Sequence, residues 1–188
     1  HEHTNKPVLI LAPLAVAKQT ENDGMKKYGI KVKYVSSQGE VVNGVNITNY
    51  DKLHKFDTTA FSGIALDESS ILKSFTGKTT NYLIEAFEAT PFKLCCTATP
   101  SPNDYTELGT TAEFLGVMRR SEMLAEFFIN DITSGTGWRL KGHSELKFYE
   151  WLSTWSVFIS NPKDLGYQAD GYELPPLNIR TIMLDSTA

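Results

Sequence analysis

Phe61-Ser62-Gly63-Ile64-Ala65-Leu66-Asp67-Glu68-Ser69-Ser70 is the stretch on which the fold turns. Its short apolar run, Ile64-Ala65-Leu66, stops abruptly at two adjacent acids. A run of that length suits a strand buried on both faces, as in a parallel sheet. Open α/β sheets carry their chemistry just beyond the carboxyl ends of such strands. Two carboxylates there can hold Mg²⁺ and steer a water. The plainer alternative is a strand that ends in a solvated acidic turn, and taken alone the pair favours that reading.

The same pattern recurs outward from this strand in both directions. Upstream, Pro7-Val8-Leu9-Ile10-Leu11-Ala12 is a second apolar run, closed by Pro13. Residues 14–28 read as a helix, with Gly29 where a left-handed cap would sit. Ile30, Val32 and Tyr34 alternate with Lys31 and Lys33, the period of a half-buried strand. Residues 36–40 read as a loop, Val45 and Ile47 begin a third strand, and a short helical segment is expected over 50–54 after Thr48-Asn49. Downstream, a polar loop spans 69–79, and a helix follows with Leu83, Ile84 and Phe87 on one face. Pro91 breaks that helix. Residues 92–96 read as another buried strand ending in Thr97-Ala98-Thr99-Pro100. Asp67 and Thr97 lie 30 positions apart, roughly the 30 residues of one strand-helix-strand crossover. Both polar tips are therefore expected on one edge of a parallel sheet.

Beyond Pro102 the pattern becomes helical. Tyr105, Leu108, Ala112 and Leu115 recur at helical spacing up to Gly116, and Ser121 is placed to cap a second helix running through Phe127-Phe128. Ser134-Gly135-Thr136-Gly137 reads as a flexible turn. Phe148, Trp151, Leu152 and Trp155 form a further apolar stripe, read as core packing. Residues 161–176 read as irregular chain, and 179–184 as a terminal strand. No internal repeat is present.

Composition narrows the function classes. The 188 residues are 41% hydrophobic and 11% aromatic, enough for one substantial core. No apolar run approaches the ~20 residues of a membrane span, and the polar start at His1 lacks the features of a signal peptide. An intracellular, cytoplasmic protein without a membrane partner is expected. The net charge of −4, from 18 basic and 22 acidic residues, lacks the footprint of a constitutive nucleic-acid binder. Lys26-Lys27 with Lys31 and Lys33, and Arg119-Arg120, are local basic exceptions that read first as solvated faces. Cys95 and Cys96 leave opposite faces of one strand, which excludes a disulfide between them and suggests buried free thiols. Gly77-Lys78-Thr79 ends like a phosphate-binding loop. The glycine that motif needs is replaced by Leu72 and no strand leads into it, so it is a decoy.

Four segments in order carry a family resemblance: Leu9-Ile10-Leu11-Ala12-Pro13-Leu14, Ile47-Thr48-Asn49-Tyr50, Leu66-Asp67-Glu68-Ser69 and Cys96-Thr97-Ala98-Thr99-Pro100. The series resembles the successive motifs of the first motor domain of superfamily-two helicases, nearest to the Snf-type branch of phages and prophages. Asp67-Glu68-Ser69-Ser70, residues 75–78 and the late Glu173-Leu174-Pro175-Pro176 strengthen the likeness, which is weakest over 119–147. It implies an α/β, RecA-like, mostly parallel sheet flanked by helices. Residues 1–116 would be a partial motor domain. Residues 117–188 would be a helical extension with a terminal strand, leading toward a second motor domain.

The resemblance also implies roles. Asp67 would hold Mg²⁺ through water and Glu68 would polarise the water that attacks the γ-phosphate of ATP. Thr97 and Thr99 would couple the nucleotide state to the grip on DNA. Pro13, Leu14, Thr48 and Asn49 would touch the sugar-phosphate backbone without reading sequence. The sequence departs from the family in two respects: its phosphate-binding loop is not among these residues, and neither is the second motor domain with its arginine finger. ATP hydrolysis needs both. The expectation is a piece of a DNA-dependent ATPase, a helicase or translocase of a bacterial or phage-infected cell. It would be inactive alone and hold no tightly bound ATP or Mg²⁺. The family's first strand would lie beside residues 92–96, so an apolar edge is expected there, to be covered by 179–184, by an upstream piece or by self-association. A non-catalytic nucleic-acid-binding or partner-docking module with the same fold is the alternative that the missing loop favours. An unrelated α/β enzyme with an acidic site is the third reading.

Overall fold

The computed structural model describes residues 3–180 except 102, 134, 136, 170, 173, 174 and 176. Its centre is an all-parallel sheet of five strands, β1 (Val8–Ala12), β2 (Val32–Tyr34), β3 (Val45–Asn49), β4 (Gly63–Asp67) and β5 (Phe92–Cys96), in the order β2-β3-β1-β4-β5. Helices flank it, so the chain is α/β, consistent with the RecA-like sheet expected. The opening stretch is β4, paired on one side with β1 and on the other with β5, where Asp67 stands opposite Cys96. Both polar tips therefore do lie on one edge.

Because side chains alternate along a strand, the register sorts the sheet into two faces. Leu9, Leu11, Ile64 and Leu66 share one face and form the main core with Leu72, Leu83, Phe87 and Phe114. These last four come from the segment after β4, from helix α2 (Lys78–Ala86) and the residue that ends it, and from α3 (Leu108–Leu115). The expected loop over 69–79 is partly ordered as a 3-10 turn, Ser69–Lys73, because Leu72 is drawn fully inside.

The opposite face is covered only in part. Helix α1 (Leu14–Tyr28) lays Val16 and Ala17 against Ala12, Val32 and Ile47. It ends at Gly29, whose φ of 66° is the left-handed cap expected of a glycine. No comparable cover lies over β4 and β5 among the described residues. Phe92 and Leu94 are 55% and 56% exposed, and with Val8, Gly63 and Ala65 they line an apolar groove of about 280 Å³. The expectation of a buried strand at 92–96 is thus corrected: β5 is the sheet's edge, and its run of apolar residues is open on one face. For the cysteines, only Cys95 faces inward, and burial pushes its thiol up to about 12; Cys96 is exposed.

The chain divides into two compact units, His1–Phe148 and Tyr149–Ala188. Residues 117–148 fall in the same compact unit as the sheet. Helix α4 (Arg120–Phe127) packs so closely on α3 that a Cβ at Gly109 would lie 2.7 Å from Arg120 Cγ. Phe148 is enclosed by Tyr105, Phe127 and Phe128 at centroid distances of 5.9, 5.4 and 5.5 Å. Arg119, not Ser121, precedes α4, where its N–H donates to Glu122. Phe128 leaves the helix for a strand: β6 (Phe128–Asn130) pairs antiparallel with β7 (Trp138–Leu140). At the mouth of that hairpin Asp131 accepts hydrogen bonds from Thr133 and Arg139, which hold its carboxyl down to about 2.

Helix α5 (Glu145–Ser153) carries the last apolar stripe into the second unit. There the Trp151 and Trp155 rings meet edge to face at 5.2 Å. Among the described residues the rest of that unit is irregular apart from a 3-10 turn at Pro162–Leu165, capped by Asn161 and Asp164. The strand expected at 179–184 falls largely outside the described residues, as do Glu173, Leu174 and Pro176. No helix of the described residues is long and apolar enough to cross a membrane.

Candidate functional site

Each strand that carries an expected site residue delivers it to the same carboxyl edge. Pro13 follows β1, Asn49 ends β3, Asp67 ends β4 and Thr97 follows β5. Parallel pairing without a register break is what aligns them. A cleft of about 410 Å³ opens at this edge, and its lining includes Pro13, Leu14, Asn49, Tyr50, Glu68 and Lys73. Thus Glu68 shares a cleft with three of the four residues expected to touch DNA. Asp67, Thr97 and Thr99 do not line that cleft.

Asp67 lies on the β4–β5 side. Register puts it on the same face as Gly63, Ala65, Leu94 and Cys96, the face left open. It is half-buried, and its Oδ1 accepts a 3.2 Å hydrogen bond from the N–H of Glu68. Glu68 itself is exposed, with φ 54° and ψ 49°. A left-handed conformation in a residue with a Cβ costs about 1–2 kcal/mol, and such strain gathers where a side chain must be aimed. Glu68→Gly is expected to stabilise the chain by about 0.5–1 kcal/mol, the strain relieved less the added entropy of the unfolded glycine. Urea denaturation measures this. A destabilised Glu68→Gly protein would show that Glu68 is unstrained.

Thr97 and Thr99 form a local turn in which the Thr99 N–H donates to Thr97 Oγ1 at 3.0 Å. Such a turn satisfies backbone groups at the end of a strand. Thr48 is placed otherwise than expected. Register sends it to the core face beside Leu11, where it is fully buried, so its hydroxyl has no surface to offer a phosphate. Asn49 points the other way and reaches the cleft, but only 7% of it is exposed. Its Oδ1 accepts from Tyr34 OH at 3.3 Å, and Tyr34 OH in turn accepts from Lys52 at 3.0 Å. Pro13 is half-buried, and Leu14, at 52% exposure, is the most open of the four.

Sequence reasoning gave no role to Tyr50, whose OH donates to the Asp67 carbonyl oxygen at 2.7 Å. Burial holds its phenol well above the ordinary range, so it stays a protonated donor. Lys73, on the turn after the acids, was also passed over.

Two carboxylates suit a Mg²⁺ ion that keeps most of its waters and shares its remaining positions with phosphates. No cluster of three or more His, Cys, Asp or Glu among the described residues could enclose a metal alone. Asp67 on the open face and Glu68 in the cleft are thus two donors, and an anion partner would fall to other residues. Gly77-Lys78-Thr79 does not supply it: Gly77 opens α2, but the segment leading in is the 3-10 turn, not a strand.

The fold and the cleft define a class, the open parallel α/β sheet with its polar residues gathered beyond the carboxyl ends of the strands. No protein-family model matches the chain, and no curated protein matches it.

Proposed function

We propose that this chain is the acid-bearing part of the first motor domain of a DNA-dependent ATPase, a helicase or translocase that couples ATP hydrolysis to movement along DNA. One observation carries the reading. Four motifs, whose edge residues Pro13 and Thr97 lie 84 positions apart in the chain, end side by side on a single sheet edge, with Asp67 in register with the residue before Thr97. Bound ATP and Mg²⁺ would supply the scissile phosphoanhydride and the charge that eases its cleavage. Asp67 would hold the metal through water, and Glu68 would orient the attacking water. Thr97 and Thr99 would report the nucleotide state. Leu14 and Pro13, with Asn49 behind them, would meet the DNA backbone at the cleft.

The open edge supports the same reading. An all-parallel sheet is ordinarily covered on both faces, yet β5 ends this one with Phe92 and Leu94 exposed. A strand followed by a helix, the unit that carries a phosphate-binding loop, would extend the sheet beside β5 and cover the apolar groove. It would bring backbone amides to the face on which Asp67 stands. Self-association through β5 would occupy the same edge.

For the chain alone the proposal predicts weak DNA binding without sequence preference, its affinity falling steeply with salt. Fluorescence anisotropy with labelled oligonucleotides at rising salt measures this. Tight or sequence-specific binding would argue for a dedicated nucleic-acid module instead.

A further inference from the structure

The peptide unit that joins the two acids is gripped at both ends. Its carbonyl, on Asp67, accepts the 2.7 Å hydrogen bond from Tyr50 OH. Its N–H, on Glu68, donates to Asp67 Oδ1 at 3.2 Å. Directly after this plane the chain takes the left-handed turn at Glu68, with φ 54°. The φ of a residue is the angle at which its Cα leaves the preceding peptide plane. Holding that plane sets the frame from which this φ aims the Glu68 side chain.

Tyr50 is well placed to do so because it belongs to neither β4 nor a strand next to it. It follows β3, and β1 lies between β3 and β4 in the sheet. Its ring packs against the main core, and its hydroxyl reaches β4 across the end of β1, where Pro13 turns into α1. The residue before it is Asn49, and both line the cleft that Glu68 enters. One side chain thus spans from the end of β3 to the acid pair.

We propose that Tyr50 is a positioning residue: by holding the Asp67 carbonyl it keeps the Asp67-Glu68 peptide in the plane that aims Glu68 into the cleft, and it ties that aim to the end of β3. The kinetic side of this rests on reading Glu68 as the water-orienting acid. The geometric side concerns this chain alone. A hydroxyl bonded to a main-chain carbonyl can act this way only through the backbone, so the group to watch is Glu68, not Tyr50.

Tyr50→Phe removes the hydroxyl and keeps the ring. In the 188-residue chain, NMR reads the strong intraresidue amide-to-Hα contact that a positive φ gives Glu68. Tyr50→Phe is expected to abolish that contact while the rest of the amide spectrum stays native, and an unchanged contact would overturn the assignment. In an ATP-hydrolysing protein that contains this segment, Tyr50→Phe should lower kcat about ten- to hundredfold with KM for ATP unchanged, the signature of misplacement. The loss should vanish in a Glu68→Gln background, because the two changes act through one group. Full turnover in Glu68→Gln would sink the function reading instead, while a damaged Glu68→Gln beside an intact Tyr50→Phe would sink this inference alone. Should Tyr50→Phe fail to fold, adding Glu68→Gly, which relaxes the turn, is expected to restore it. If it does not, Tyr50 serves packing only and the proposal is wrong.

Discussion

Glu68→Gln is expected to lower DNA-stimulated ATP turnover by about 10²–10⁴-fold, the range of a lost general base, in a protein that joins this segment to a phosphate-binding loop. Gln keeps the length and the branching of Glu and loses the charge that draws a proton from water. Glu68 is exposed and lines the cleft, and its side chain has no hydrogen-bond partner among the described residues that the substitution would break. Nucleotide binding and thermal stability should therefore be close to unchanged, which separates a chemical role from a structural one. Turnover within twofold of the native rate would remove Glu68 from the mechanism.

The second large effect falls on stability. Phe87 is fully buried at the end of α2, among Leu66, Leu72, Leu83 and Phe114 on the core face of the sheet. Phe87→Ala deletes the ring that seals the crossover between β4 and β5, and is expected to destabilise the protein by about 3–5 kcal/mol. Set against the roughly 5–15 kcal/mol that holds a typical domain together, that is enough to unfold much of the population at physiological temperature. Chemical denaturation followed by circular dichroism measures it. A loss below about 1 kcal/mol would mean that the core closes over the gap.

These two residues illustrate what was legible in the sequence. The Leu83, Ile84 and Phe87 stripe announced the face of α2, and Gly29 announced the end of α1, because periodicity and caps are local signals. The parallel sheet followed from short apolar runs alternating with helices. The open face of β5 did not follow from its own residues, because an apolar strand reads the same at the centre of a sheet as at its edge; only the family resemblance placed an apolar edge there. Phe128 was assigned to a helix since its aromatic run suited one, and strands of three residues such as β6 and β7 are too short to show a period of two.

The site was legible in part for the same reason. Asp67-Glu68 could be found as an abrupt acidic end to an apolar run, and its shared edge with Thr97 from the crossover length. Thr48 could not be told from Asn49, since adjacent residues on a strand exchange faces and only the register says which faces the core. Tyr50 was invisible because its hydrogen bond spans 17 positions and crosses another strand. The left-handed turn at Glu68 leaves no mark in a sequence that has no glycine or asparagine there.

The proposed function makes this sheet edge the metal and water side of an ATPase site that needs a phosphate-binding loop beside β5. The direct measurement is steady-state phosphate release, with and without DNA, by the chain alone and by the same chain joined to a strand, a phosphate-binding loop, a helix and a second motor domain. The prediction is no turnover for the chain alone and DNA-stimulated turnover for the joined protein. Turnover by the pure chain, or a joined and folded protein that binds ATP yet never hydrolyses it, would contradict the account.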